Sequence, residues 1–248
     1  MTVTSECTLT LPLVDFRRAV AAVKPHAERA KSADEITSFQ RVRFIAAKTE
    51  LLVAATNGTT AALAAVEILE DSRAERFAAD DGSFAVDISP QLVTDLRDGL
   101  RMQRGDIVED EQACEVVLTD TRITVRDVSG LWPDSETTRP LLAYSADYPD
   151  LRKILAGQMN TALQEVKPMT SPDGVLARFA AASRAYDRPL QFEPTGPASS
   201  RGFLVWCGEK FIGMVSSGHD DDDSLAKRQS YRRRHLERLG LAKTLEIL

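Results

Sequence analysis

The chain has 248 residues, 43% of them hydrophobic and 27% charged, which is a globular composition with length for two ordinary domains or one large one. Its formal net charge of −6 argues against a protein that coats nucleic acid through overall basicity, while leaving room for local basic stripes. No apolar run reaches the roughly 18 residues of a membrane span, MTVTSECTLTLP has neither the basic start nor the apolar core of a signal peptide, and Cys7, Cys114 and Cys207 are too scattered for a disulfide framework, so a cytoplasmic protein with reduced thiols and no membrane partner is expected.

The first helix is expected after Pro12 in TLTLPLVDFRRAV, where Phe16, Val20 and Val23 take the spacing of a buried face and Pro25 closes the run. Arg17, Arg18 and Lys24 decorate its flank. Strand signals follow in FQRVRFIAA, LLVAAT and ALAAVEI. Between the last two lies Asn57-Gly58, a strong hairpin signal because both residue types tolerate positive φ. A simple turn accounts for that dipeptide on local grounds.

A second helix is predicted after AVDIS, with Ser89 as N-cap, Pro90 in the first turn and Leu92, Leu96 and Leu100 on one face. Arg97, Arg101 and Arg104, at i, i+4 and i+7, form a stripe beside those leucines. CEVVLTD, ITVRDV and RPLLAYS read as strands, and YSADYPDLRKIL as a linker. A third helix is expected after Ser171-Pro172, with Val175, Leu176, Phe179 and Tyr186 on its buried side and Arg178, Arg184 and Arg188 beside them. RPLQFEP, FLVWCG and KFIGMVS complete that unit. Residues 219–248 run from the acidic HDDDDS into a basic, helix-prone stretch holding Lys227, Arg228 and Arg232 to Arg234, expected as a charged tail.

Pro12, Pro90 and Pro172 thus recur at intervals of about 80 residues, each opening an amphipathic run that leads into about three strands. One helix per set of mainly antiparallel strands predicts an α+β fold with helices layered on one face of the sheets. Each helix also carries basic residues. On any one helix these suit ordinary solvated surface; their recurrence in all three suits phosphate contact without base readout.

Catalytic patterns are missing from the sequence. His26, His219 and His235 sit in no metal or triad spacing, and HDDDDS lacks the alternating ligands and glycine of a calcium loop and reads as a solvated linker. No phosphate-cradling glycine loop and no G-x-S-x-G elbow occurs. No enzyme, cofactor or metal is expected.

Four segments, in order, carry a family resemblance. LLVAATNGTTAALA resembles the L-x-A-T-D-G-H-R-L-A strand and turn of the bacterial sliding clamp, the β subunit of the replicative polymerase; FAVDISPQLVTDLRDGL resembles the entry to the second helix of a clamp domain; YSADYPDLRKIL is similar to the F-P-D-Y-R-R-V-L-P linker; and KFIGMVSS resembles the final strand. Together they cover residues from about 7 to 217 of the chain, so the resemblance embraces all three units. It implies a DNA-clamp fold of repeated half-domains: a complete clamp domain at 1–155 (half-domains at about 1–80 and 81–155), a third half-domain at 156–218 and the tail at 219–248.

The resemblance also implies a function. A sliding clamp encircles double-stranded DNA without sequence preference, tethers a replicative polymerase for processivity, and binds polymerase and clamp loader through short linear peptides. By motif, the peptide pocket here is Thr56, Gly58, Thr59, Thr60 and Ala61 from the turn, Pro149, Lys153 and Ile154 from the linker, and Ile212, Met214 and Val215 from the last strand. Ordinary core is the plainer role for Ile212 and Met214. The chain departs from the family where Thr59-Thr60-Ala61 replaces His-Arg-Leu and Val215 replaces a proline. DNA-facing residues are expected to be Arg17, Arg18, Lys24, Arg97, Arg101, Arg104, Arg178, Arg184 and Arg188. Bacterial clamps close six half-domains per chain as dimers, and archaeal and eukaryotic clamps four as trimers. Three per chain imply a homotetrameric ring, with a trimer the second choice, in a nucleoid-associated protein whose short chain suits a phage or mobile element. The other reading is a clamp-like adaptor or regulatory protein that has lost the ring and binds replication or repair partners.

Overall fold

A computed structural model describes residues 6–28, 36–69, 84–100, 112–128, 136–160, 174–195 and 202–216, with Ala226, Lys227, Gln229, Ser230, Tyr231 and Arg234 of the tail, which are helical. The chain runs β1 (Glu6–Pro12), α1 (Leu13–Val23), β2 (Val42–Ala46), β3 (Glu50–Thr56), β4 (Thr60–Glu67), then β5 (Phe84–Ile88), α2 (Pro90–Gly99), β6 (Ala113–Thr119), β7 (Arg122–Asp127) and β8 (Glu136–Pro140). After α3 (Leu151–Met159) come α4 (Val175–Tyr186), β9 (Gln191–Thr195), β10 (Gly202–Trp206) and β11 (Phe211–Ser216). The order strand, helix, three strands therefore occurs twice in full, and α4 with β9 to β11 reproduces its last four elements.

All strand pairs are antiparallel, in a four-stranded sheet ordered β1-β6-β7-β8 and a seven-stranded sheet ordered β5-β2-β3-β4-β11-β10-β9. The two complete repeats exchange their leading strands. β1, from the first, lies beside β6 of the second, and β5, from the second, lies beside β2 of the first. Neither repeat can complete its sheet without the other.

Alternation explains the pairing. β1 buries Cys7, Leu9 and Leu11 against Cys114, Val116 and Leu118 of β6, so a slip by one residue would turn every apolar side chain to solvent. Burial raises the Cys7 thiol to about 11 and, with help from Asp127, the Cys114 thiol to about 12, keeping both protonated. α1 sits at the centre of the core. It packs between α2 and α4 and over β3 and β4, and Ala19 and Ala22, both fully buried, let its neighbours approach closely. Phe16, Phe44, Phe179 and Phe211 are the largest of the fully buried side chains.

The seven-stranded sheet arises because β11 adds to the free edge of β4, from Phe211 beside Ala64 to Val215 beside Thr60. Gly213 permits this junction. A Cβ there would stand 2.5 Å from the Phe179 ring and 2.9 Å from the Ala61 carbonyl, so α4 reaches the seam only over a residue without a side chain.

The helices differ from expectation at their ends. α1 gives way to a 3-10 turn, Lys24–His26, with Pro25 inside it. Ser89 caps α2 as predicted, accepting the Leu92 N–H at 3.4 Å, and the helix ends at Gly99 with Arg97 in its last turn. Arg101 and Arg104 lie outside the described residues, as do Ser171 and Pro172, and α4 is capped by Gly174 in the left-handed region instead. The predicted strand RPLLAYS is also displaced: β8 ends at Pro140, and residues 141–145 are drawn to the buried Asp87, with Leu142 bridging its backbone. The linker carries the helix α3, which sequence reading missed although Asp150 is an evident N-cap, accepting the Lys153 N–H at 3.2 Å, and Leu151 and Leu155 lie one turn apart. No helix among the described residues is long and apolar enough to cross a membrane.

His26 is fully buried with neither ring nitrogen hydrogen-bonded, edge-on to Phe179 at 4.6 Å between centroids and near Phe211. Burial, and secondarily the charge of Arg178, lowers its pKa from 6.5 to about 3. Between those values the unfolded chain binds a proton that the folded chain refuses. Stability from this site is thus complete above about pH 6.5 and lost as the pH falls below it. His26→Leu should remove that loss, so that from pH 7 to pH 4.5 the variant gains about 2–3 kcal/mol on the wild type in urea unfolding; a pH-independent difference would contradict the account.

Candidate functional site

Two surfaces gather the residues singled out in the sequence: the outer face of the seven-stranded sheet and the layer of helices on its inner side.

On the outer face the turn comes first. Gly58 has φ +83, the one turn residue that needs the left-handed region, with the Phe39 ring 3.6 Å from where a Cβ would stand. Asn57 keeps a negative φ and works through its side chain: Oδ1 accepts from the Thr59 N–H at 3.2 Å, the Thr60 N–H at 2.7 Å and the Thr60 hydroxyl at 2.9 Å. Thr56 donates its hydroxyl to the Thr60 carbonyl at 2.8 Å and accepts the Gly58 N–H at 3.1 Å. The polar run thus satisfies its own backbone and holds β3 to β4 at Thr56 beside Ala61.

Cross-strand register then sets two rows on this face. Thr56, Ala61, Met214, Leu204 and Glu193 stand abreast in one, and Asp87, Arg43, Ala54, Leu63, Ile212 and Trp206 in the next. Ala54 and Ala61 form a small core with Tyr148 and Leu151, against which Met214 packs. α3 crosses from there towards β9, where the Thr195 hydroxyl donates to the Gln158 carbonyl at 2.8 Å. Turn, linker and last strand therefore do converge. Ile212 and Met214 are half-buried, Pro149 is half-buried, and Lys153 and Ile154 are exposed. Val215 and Thr60, which stand opposite each other across the seam, are exceptions among the expected pocket positions, since alternation turns both to the helix side of the sheet. Leu63, Leu204 and Trp206 belong to the same face and were not singled out, although the alternation in ALAAVEI and FLVWCG identifies them; Leu151 joins them from α3.

A buried ion pair fixes the linker to this face. Arg43 Nε and Nη2 donate to the two Asp87 carboxylate oxygens at 2.7 and 2.9 Å, and Arg43 Nη2 donates also to the Ser145 carbonyl at 2.6 Å. The Ser145 N–H donates back to Asp87 at 3.1 Å, and Arg41 joins at 3.4 Å while donating to the Ala143 carbonyl at 2.6 Å. Tyr144 and Tyr148 stack on the Arg43 guanidinium at 4.6 and 4.2 Å. Burial lowers the Arg43 pKa, but the hydrogen bond and charge of Asp87 outweigh it and the net shift is upward.

On the inner side α2, α1 and α4 lie side by side. Arg17 donates to the Arg97 carbonyl at 2.7 Å and to the Leu100 carbonyl, closing the C-terminal end of α2. Lys24 donates to the Thr94 hydroxyl, and Arg97 pairs with Asp98 at 2.7 Å, which lowers the Asp98 pKa. The α1–α2 seam is thus a row of three cations, each partly engaged. Across α1, Arg18 and Arg188 line a cleft of about 500 Å³ with Lys210, which donates to Asp15 at 2.6 Å. Arg178 is half-buried near His26, and Arg184 is exposed. Among the described residues no cluster of His, Cys, Asp and Glu has the makings of a metal site.

No protein-family model matches this chain, and no curated protein matches it. Solved structures do. A DNA polymerase III beta subunit from Thermotoga maritima aligns with a TM-score of 0.56 at 9% identity, over 87% of this chain and 66% of its own. One from Borrelia burgdorferi, in complex with a natural product, gives 0.54 at 10% identity over 86% and 64%. A sliding clamp from Pseudomonas aeruginosa bound to griselimycin gives 0.53 at 9% over 88% and 67%. The chain spans about two thirds of the length of these proteins.

Replacing Arg43 by Leu leaves the buried Asp87 carboxylate with the longer Arg41 contact and the Ser145 N–H, a change expected to cost about 3 kcal/mol in denaturant unfolding and to open residues 141–150 to limited proteolysis. A loss below about 1 kcal/mol would show the pair to be incidental. On geometry and on these comparisons together, the chain is a distant member of the α+β fold of the DNA polymerase III beta sliding clamps.

Proposed function

We propose that this chain is a DNA sliding clamp, holding duplex DNA against its helix layer and partner peptides on the outer face of its seven-stranded sheet. The observation that carries the reading is the single layer formed by α2, α1 and α4, with Arg17, Lys24 and Arg97 along one seam and Arg18, Arg184 and Arg188 beyond it. Weak, exchangeable phosphate contacts are what tethering by topology needs, since tight contacts would stop movement along the duplex. In this reading the two complete repeats, about 1–80 and 81–155, form one clamp domain, 156–218 a third half-domain, and the ring closes from four chains. The outer-face rows of Ala61, Leu63, Ile212 and Met214 beside α3 offer apolar side chains to a short peptide, with Lys153 at the rim.

An adaptor without a ring is the second reading, favoured by one observation: Arg17, Lys24 and Arg97 all have partners within the protein. Retention on DNA separates the two. Loaded onto nicked circular DNA, a clamp stays bound and is lost when the circle is cut, whereas equal retention on circle and linear DNA, or none on either, would leave the adaptor. The triple change of Arg97, Arg101 and Arg104 to Glu should reduce retention without unfolding the protein, and each phosphate that is no longer neutralised should lower the salt exponent by about 0.9. Unchanged retention and salt dependence would remove these residues from the DNA-facing surface.

A further inference from the structure

The two complete repeats show what a finished unit looks like. In each, the strand following the helix has a neighbour on its outer side, β5 beside β2 and β1 beside β6, supplied by the other repeat. The third set departs from this. β9, the strand following α4, ends its sheet with no strand beyond it among the described residues. Among the described residues α4 packs chiefly on α1 and the 3-10 turn that follows it, while α1 has α2 on one flank and α4 on the other.

The side chains at this end are those of an unfinished core. Phe192 pairs across strands with Val205, and Phe203 with both Pro194 and Val215; Val205 and Val215 belong to the core beneath the helices. Alternation therefore places Phe192 on the helix-facing side of the sheet, yet it is 48% exposed, and Leu176 on α4 is 52% exposed. Phe192 meets Phe203 edge-on at 6.3 Å between centroids, so the exposed ring is held in place.

We propose that the α4–β9 end of one chain packs face to face, about a two-fold axis, on the same end of a second copy. The molecule itself indicates the occupant: what covers the corresponding strands of the first two repeats is another repeat of the same kind, and a second copy brings one whose equivalent side is open. A two-fold contact uses the same patch twice, and the mixed signs of Arg184, Asp187 and Arg188 beside it suit self-pairing. Pro194 removes one backbone donor from β9, so the contact is made by side-chain faces and not by a continuous ladder through that strand. This pairing is a joint of the proposed ring and rests on that reading for the ring alone; the pairing itself follows from the sheets and stands whether or not the chain touches DNA.

Mass measurement of the full chain in solution tests it, by light scattering with native mass spectrometry, for the wild type and for Phe192→Asp and Leu176→Glu, with circular dichroism to confirm that the variants fold. The wild type should have an even number of 27.3 kDa chains, and either folded variant should have half that number. A dimer that becomes a monomer on substitution supports the pairing and removes the ring. A tetramer unmoved by both folded variants overturns the pairing and leaves the ring. A wild-type monomer or trimer overturns the pairing irrespective of how the variants behave.

Discussion

The exchange of leading strands between the first two repeats is the constraint on which the rest of the molecule depends. Because β1 lies in the sheet of β6 and β5 in the sheet of β2, the two repeats bury one continuous core with α1 inside it. That arrangement leaves β4 free at the edge of its sheet. An exposed edge is a template for another strand, and β11 occupies it with five register pairs from Phe211 to Val215. The third set of elements is thus joined to the first through backbone hydrogen bonds, and α4 follows because Gly213 lets Phe179 come down onto the seam.

Function, on the reading proposed here, is a consequence of having two sides. The inner side receives the helices, whose ends and flanks bring cations together; the outer side is left with alternate apolar residues that, among the described residues, α3 and the linker partly cover. The Arg43–Asp87 pair connects the two, for it is built from β2 and β5, strands of the exchanged set, and fixes the linker that shapes the outer face. A buried ion pair of this kind gives geometry more than stability: it is satisfied at every oxygen, and its worth lies in where it holds residues 141–150.

Much of this is legible in the sequence. The repeat length, the Ser89 cap and the alternation of CTLTL and CEVVLT specify helices and strands by local physics, and Asn57-Gly58 marks the turn between β3 and β4. What is not legible depends on distant partners. RPLLAYS has strand propensity, but Asp87, more than fifty positions earlier, captures its backbone instead. The end of α2 at Gly99 also depends on a distant partner, for Arg17 from α1 bonds the carbonyls there. Asn57 suggests a role through φ and performs it through Oδ1. The apolar outer rows need the order of the strands, since register across β3, β4, β11 and β10 is what sets Ala54, Leu63, Ile212 and Trp206 side by side.

The central claim is that the third set of elements is fused to the first through the β4–β11 seam and is no appended, separately folding piece. Native-state amide hydrogen exchange, followed residue by residue, tests this directly. The account predicts that the seam amides of Ala61, Leu63, Ile212 and Met214 exchange as slowly as those of β2 and β3 and open with the same free energy. Exchange in β9 to β11 and α4 that is faster as a block, with β2 to β4 still protected, would contradict it.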